Sequence, residues 1–260
     1  APMLRTIHAT RYVTALREGG SLPAIIEADD LGLYVVKFRA AGQGPLALVA
    51  ELVAGEIGRT LGLNIPELVF AEIDPALGRN EPDQEIRDLL RASVGLNLAL
   101  DYLPGSSMFD PAAGDKADPR IASLAVWFDA FTLNVDRTAR NANLLNWHGK
   151  LYFIDHGAAL YFHHNWPEAD HLAESPFANI SHHVLLPWAS DLEQAAVRAS
   201  SQLNPKVFTE ILAQIPDAWL QSSHASPKET RAAYLDLLTR RLAAYPIFTQ
   251  EAVRARAHLI

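Results

Sequence analysis

The chain contains no cysteine, which excludes disulfides, thiolate metal centres and a cysteine nucleophile. It has no apolar run near 18 residues, so no segment reads as a membrane-spanning helix. The opening "APMLRTIHATRY" lacks the apolar core that a secretory signal needs, and the expectation is a soluble, cytoplasmic protein with no membrane partner. Positive charge is also scarce, since 22 Lys and Arg against 30 Asp and Glu leave a net charge of -8. That balance argues against holding nucleic acid or an anionic membrane by bulk charge. What remains on the basic side is a small local cluster around Arg137 and Arg140.

What is present has globular proportions. The 260 residues are 49% hydrophobic and 20% charged, enough for one large domain or two packed lobes. From Arg5 to Phe38 the pattern predicts three short strands, "TIHATRYV", "PAIIEAD" and "LYVVKF", in an antiparallel meander punctuated by Gly19-Gly20-Ser21 and Asp29-Asp30-Leu31-Gly32. Leu46 to Leu61 has helical periodicity, with Pro45 where a first turn tolerates it and Gly62 where a helix ends. Two further strands are predicted over Glu67 to Asp74 and Leu96 to Leu103, separated by a polar loop with a short helix.

Pro104-Gly105 closes this half, and "GSSMFDPAAGDKADP" has a linker's composition. Beyond it the chain reads as helical: "PRIASLAVWFDAFTLN", apolar on most sides, then "DLEQAAVRASSQL", "PKVFTEILAQI" and "ETRAAYLDLLTRRLAAYPIF". Strands followed by helices predict an α+β chain of two lobes, residues 1–105 and 106–260, with a cleft between them.

Several residues carry chemistry. Lys37 sits among strand formers, either as an edge cation facing water or as a buried ammonium that needs a partner. Glu51 and Glu56, on the helix that follows, lie well apart around its circumference, so one of them faces Lys37, and the apolar neighbours "VAELV" favour Glu51. "EGGSLP" is a Gly turn whose N–H groups would suit phosphate oxygens, or an ordinary hairpin. "LNVDRTARNANLLNWHGKLYFIDHGAALYF" places Asp136 after a buried helix, Asn141 five residues later, then a hairpin that delivers Asp155-His156-Gly157. A strand Lys, a helix Glu, a loop Asp with an Asn five residues on, and Asp-x-Gly are, in this order, the parts of phosphoryl transfer to a hydroxyl.

On "VVKF", "AELVAGEIGRTLGL", "NVDRTARN" and "FIDHG", over roughly the first 165 residues, the chain resembles the HipA-like kinases of the protein-kinase-like superfamily. The resemblance implies a bilobal kinase fold, with a small antiparallel sheet and one helix in the first lobe and a mainly helical second lobe. It also implies ATP and Mg²⁺ as cofactors and a protein Ser or Thr as acceptor. Lys37 would contact the α- and β-phosphates, oriented by Glu51. Asp136 would be the catalytic base, with Asn141 and Asp155 as metal ligands. The hinge at residues 98–105 would read adenine near Leu100, Asp101 and Tyr102, and the turn of Gly19, Gly20 and Ser21 would cover the phosphates. Ser21 is a candidate autophosphorylation site, where a phosphate would sit in place of those of ATP. Asn143 competes with Asn141 on its position just before the hairpin. Asn141 fits the family pattern without a gap, leaving Asn143 as a supporting residue or reserve ligand.

This sequence departs from protein kinases in having His156 for the common Phe, and Asn134-Val135 where a His-Arg pair precedes the loop Asp. A small-molecule phosphotransferase and an ATP-binding pseudokinase are the alternatives; in the first, a His-Gly pair usually precedes the Asp, and here it does not. The pairs His163-His164 and His182-His183 do not readily make a zinc site, because adjacent side chains in a strand point to opposite faces. They are expected along the cleft or the surface, and Trp127, Trp166, Trp188 and Trp219 in the core.

Overall fold

The computed structural model describes residues 3–16, 22–79, 81–221 and 225–259. Gly19, Gly20 and Ser21 lie outside them. The first strands are β1 (Thr6–Ala15), β2 (Ala24–Ala28) and β3 (Leu33–Lys37), and α1 (Pro45–Thr60) follows. After it come β4 (Leu68–Ile73), α2 (Gln84–Ala92) and β5 (Gly95–Asp101).

The five strands close into a barrel in the order β1-β2-β3-β5-β4. The expected sheet was purely antiparallel, but β1 runs parallel to β4, with Thr6 opposite Phe70 and His8 opposite Glu72. Closure explains the difference, since it pairs two edges that an open meander would leave exposed. The region also holds a second helix, α2, capped by the Asp83 side chain on the N–H groups of Glu85 and Ile86.

Period-two alternation divides the strand residues between two cores. Val69, Ala71 and Ile73 of β4 point into the barrel with Ile7, Ile26 and Val36. Leu68 and Phe70 point outward onto α1, joining Leu52, Val53 and Ile57. The helix comes close because a Cβ at Gly55 would lie 2.6 Å from Leu68 Cδ1. That close packing fixes how far α1 side chains stand from β3.

The segment expected to be a linker is part of the fold. Ser107–Met108 forms β6, which pairs with β7 (Leu144–Trp147) beside β8 (Lys150–Phe153) in a second sheet. Phe109 is buried and meets Trp188 edge-on at 5.9 Å. An aromatic and two Asp side chains that cap backbone N–H groups, Asp110 on Ala112 and Asp115 on Asp110, outweigh the Gly and Pro content.

The helices are α3 (Pro119–Thr132), α4 (Leu192–Gln202), α5 (Pro205–Leu212), α6 (Pro227–Ala243) and α7 (Tyr245–Ala257). The single helix expected across Tyr245-Pro246 is two, because Pro246 has no N–H to continue α6. Trp127 and Trp219 are buried, whereas Trp166 and Trp188 are partly buried against the same core. Trp219 packs on Phe70 at 5.7 Å, and Gln214 accepts the Leu4 N–H at 2.9 Å, so the chain beyond α5 reaches back to the strands. Among the described residues no helix is long and apolar enough to cross a membrane.

Candidate active site

Alternation along β3 turns Tyr34 and Val36 into the barrel and leaves Lys37 on the side of α1. Its ammonium donates to Glu51 Oε2 and to Asp155 Oδ1, each at 2.5 Å. Glu51 is fully buried, while the Asp155 side chain is 48% exposed. Burial pulls the Lys37 ammonium down, but the charges of Glu51 and Asp155 outweigh it and raise its pKa above the ordinary lysine value. Burial pushes Glu51 up, and Lys37 with His156 more than reverses this, holding its carboxyl well below the usual range. Glu56, the other acid on α1, is also buried and bonds Arg59 at 2.9 Å instead.

Asp155 has φ 55° and Asn143 φ 49°, left-handed conformations that cost energy for a non-glycine residue. Buried hydrogen bonds hold this geometry. Arg137, fully buried, donates to the carbonyls of Asn143 at 2.6 Å and Ile154 at 3.3 Å, tying the loop before the hairpin to the residue before Asp155. Its Nε donates to Asp129 Oδ2 at 2.5 Å, and Asp129 also takes Asn134 Nδ2 at 2.9 Å and faces His183 Nε2 at 2.8 Å. Asn134 in turn accepts the Asp136 N–H at 3.1 Å. Asp129, on the buried face of α3, thus anchors both flanks of Asp136.

The Asp136 carboxyl is pushed above its ordinary value by burial first and by the Asp155 charge second, against opposing hydrogen bonds from Asn143 and Asn141. Asn141 is exposed and donates to Asp136 Oδ2 at 2.8 Å. Asn143 is buried, donates to the Asp136 carbonyl at 3.2 Å, and gives its own carbonyl to Arg137 and to the Ile154 N–H.

The structure therefore brings Lys37, Glu51, Asp136, Asn141, Asn143 and Asp155 to one place. At the hinge, the Asp101 and Tyr102 N–H groups are engaged by the carbonyls of Glu67 and Leu33, so neither amide is free to read a base. His163 and His164 lie in a 3-10 turn, His182 ends another and His183 pairs with Thr138 in an isolated bridge; one member of each pair is buried, His163 beside the Tyr234 hydroxyl at 2.7 Å and His183 on Asp129. Among the described residues no three His, Asp or Glu side chains gather as a metal cluster. His183, expected along the cleft or surface, is buried on Asp129, and Asp129 escaped sequence reasoning, although an Asp inside "AVWFDAF" signals a buried charge in need of a cation.

The HipA-like kinase family matches residues 10–246. The chain belongs to that family. Membership places it among kinase-type phosphotransferases. The crystal structure of a Helicobacter pylori proinflammatory kinase, CtkA, aligns over 96% of this HipA-like chain and 98% of its own, with a TM-score of 0.56 at 13% identity. That likeness is one of fold. The Golgi casein kinase solved with Mn and ADP aligns over 100% of this chain and 73% of its own, at a TM-score of 0.45 and 10% identity. No curated protein matches the chain.

Proposed function

We propose that this HipA-like protein transfers the γ-phosphate of ATP, with Mg²⁺, to a Ser or Thr hydroxyl of a protein, and that residues 1–105 and 106–260 act as lobes on either side of the nucleotide. The observation that supports this most directly is the Lys37 ammonium, which contacts Glu51 and, 118 positions along the chain, Asp155. Nothing in strand or hairpin formation requires that meeting, and a phosphate-binding cation beside a metal-binding carboxylate does.

Lys37 binds the α- and β-phosphates, held by Glu51. Asp155 and the side-chain oxygen of Asn141 suit a magnesium ion, which takes one or two protein oxygens and completes its shell with phosphate and water. The ion supplies neutralisation of phosphate charge. Asn141 is the better ligand because it is exposed and its amide nitrogen is already spent on Asp136, whereas Asn143 is held inward as a loop support. Asp136 accepts the acceptor hydroxyl's proton as that oxygen bonds to the γ-phosphorus and the bond to the β–γ bridging oxygen breaks. Its raised pKa suits a proton acceptor. Ser21 is the proposed acceptor within the chain.

The test is purified protein with Mg²⁺ and γ-labelled ATP, alone and with lysate. Label is expected on the protein itself or on a lysate protein, and Asp136→Ala should abolish it. ATP binding without transfer would assign a pseudokinase. Transfer to lysate stripped of protein would assign a small-molecule phosphotransferase.

A further inference from the structure

The residue after Asp155 is tied to α1 by chemistry that a phenylalanine lacks. Glu51 Oε2 accepts the His156 backbone N–H at 2.8 Å, and Glu51 Oε1 faces His156 Nδ1 at 3.2 Å. A carboxylate only accepts, so Nδ1 carries the hydrogen and donates it. The imidazole is fully buried, with Phe128 of α3 edge-on at 5.7 Å.

Oε2 also takes the Lys37 ammonium, whereas Oε1 faces His156 Nδ1 and not Lys37. In the structure Lys37 divides its charge between Glu51 and the half-exposed Asp155. When Asp155 turns to a metal ion and Lys37 to phosphate, Lys37 loses one carboxylate and needs the other kept in place. Glu51 stays because two donors from the Asp155 turn hold it. These two contacts tie α1 to the turn.

We propose that His156 is a positioning residue that fastens Glu51 to the Asp155-His156-Gly157 turn, so that α1 is engaged without an added phosphate or a partner protein. The proposal rests on the roles given above to Lys37, Glu51 and Asp155.

The experiment compares wild type with His156→Leu, which removes the side-chain donor, and His156→Asn, whose amide keeps one near the Nδ1 position. His156→Leu is expected to lower kcat by at least about 10-fold, with KM for ATP changed less than about threefold, since misplacement of a supporting group costs rate more than affinity. His156→Asn should stay within about fivefold of wild type, and His156→Leu should cost nothing further in Glu51→Gln, as expected of residues acting through one another.

Amide hydrogen exchange on the nucleotide-free protein gives a readout without turnover. His156→Leu and Glu51→Gln should speed exchange at His156 and in the first turns of α1, and His156→Asn should not. Unchanged kcat in His156→Leu, equal damage from Leu and Asn, or multiplying losses would overturn the proposal. If wild type moves no phosphate, the kinase assignment fails, and exchange alone decides the link. Should His156→Leu not fold, exchange in His156→Asn and Glu51→Gln decides it: the proposal falls if Glu51→Gln leaves the His156 amide as protected as in wild type.

Discussion

Glu51 and Asp129 are both wholly buried carboxylates, and each is met by one cation and one histidine. The two centres are nonetheless different devices. At Glu51 the cation is Lys37, a point charge on a flexible stem, 16% exposed and shared with Asp155, which is free to take other partners. At Asp129 the cation is Arg137, whose side chain is 0% exposed and whose Nε and Nη1 bind Asp129 and two backbone carbonyls, while Nη2 is buried without a hydrogen-bond partner. The first can exchange partners when a ligand arrives, and the second cannot. The proposed phosphate site would need one charge that moves and a frame that does not.

The largest effect expected from this contrast is at the frame. Asp129→Asn leaves the Arg137 guanidinium buried without a counter-charge, and should cost about 3–5 kcal/mol in urea unfolding. The Glu51 centre should be more forgiving. Lys37→Met leaves Glu51 with both His156 donors, so the expected loss is about 1.5–3 kcal/mol, while phosphate transfer falls by about 100-fold or more. Equal stability losses in the two variants would break the comparison.

Much of this was legible in the residues, for identifiable reasons. Lys37, Glu51, Asp136, Asn141 and Asp155 stand at spacings that the proposed chemistry uses, and "VAELV" favoured Glu51 over Glu56, although both are buried and they differ in their cation, Lys37 against Arg59. The strands of the barrel followed from alternation, but its parallel closure did not, since it pairs residues as distant as Thr6 and Phe70 and such pairing leaves no local pattern. Phe109 was hidden among Gly, Pro and Asp whose capping role depends on distant partners. Asp129 was missed, and His183 was placed on the cleft or surface, because their meeting is made by tertiary packing across 54 positions. His156 was seen as a departure from phenylalanine, yet its bond to Glu51 exists only once α1 is docked.

Acid should next separate the histidines from the carboxylates. Burial lowers the His183 pKa despite Asp129, and burial with the nearby His164 lowers His163 to about 3. For both, the unfolded chain takes up a proton first. Their stabilising contribution is therefore complete above the ordinary histidine value near 6.5 and is lost as pH falls from there toward the folded value. Glu51 and Asp129, both held below the ordinary carboxylate range, keep their contribution across that window and lose it only in stronger acid. Moving from pH 6.5 to 5 should cost about 1.6 kcal/mol through His163 alone. His163→Asn should flatten that slope in urea titrations at the two pH values, and a wild-type stability that does not change between them would refute the assignment.

The smallest stability effect and the sharpest functional one are expected at the two asparagines. Asn141 is exposed, its side chain donates to the Asp136 carboxylate and its backbone bonds to Thr138 do not depend on the side chain, so Asn141→Ala should change stability by less than about 0.5 kcal/mol. Asn143 is buried in a left-handed turn that alanine tolerates poorly, and it donates to the Asp136 carbonyl. Asn143→Ala should therefore cost about 1–3 kcal/mol. Calorimetry of ATP binding with and without Mg²⁺ should rank them the other way, with Asn141→Ala losing the magnesium-dependent part of the affinity and Asn143→Ala keeping most of it. Asn143 belongs to the fixed frame of Arg137 and Asp129, and Asn141 to the exchangeable side of the site with Lys37 and Asp155. If Asn143→Ala alone abolished the magnesium dependence, the boundary between frame and exchangeable charge would have to be redrawn between Asn143 and Arg137.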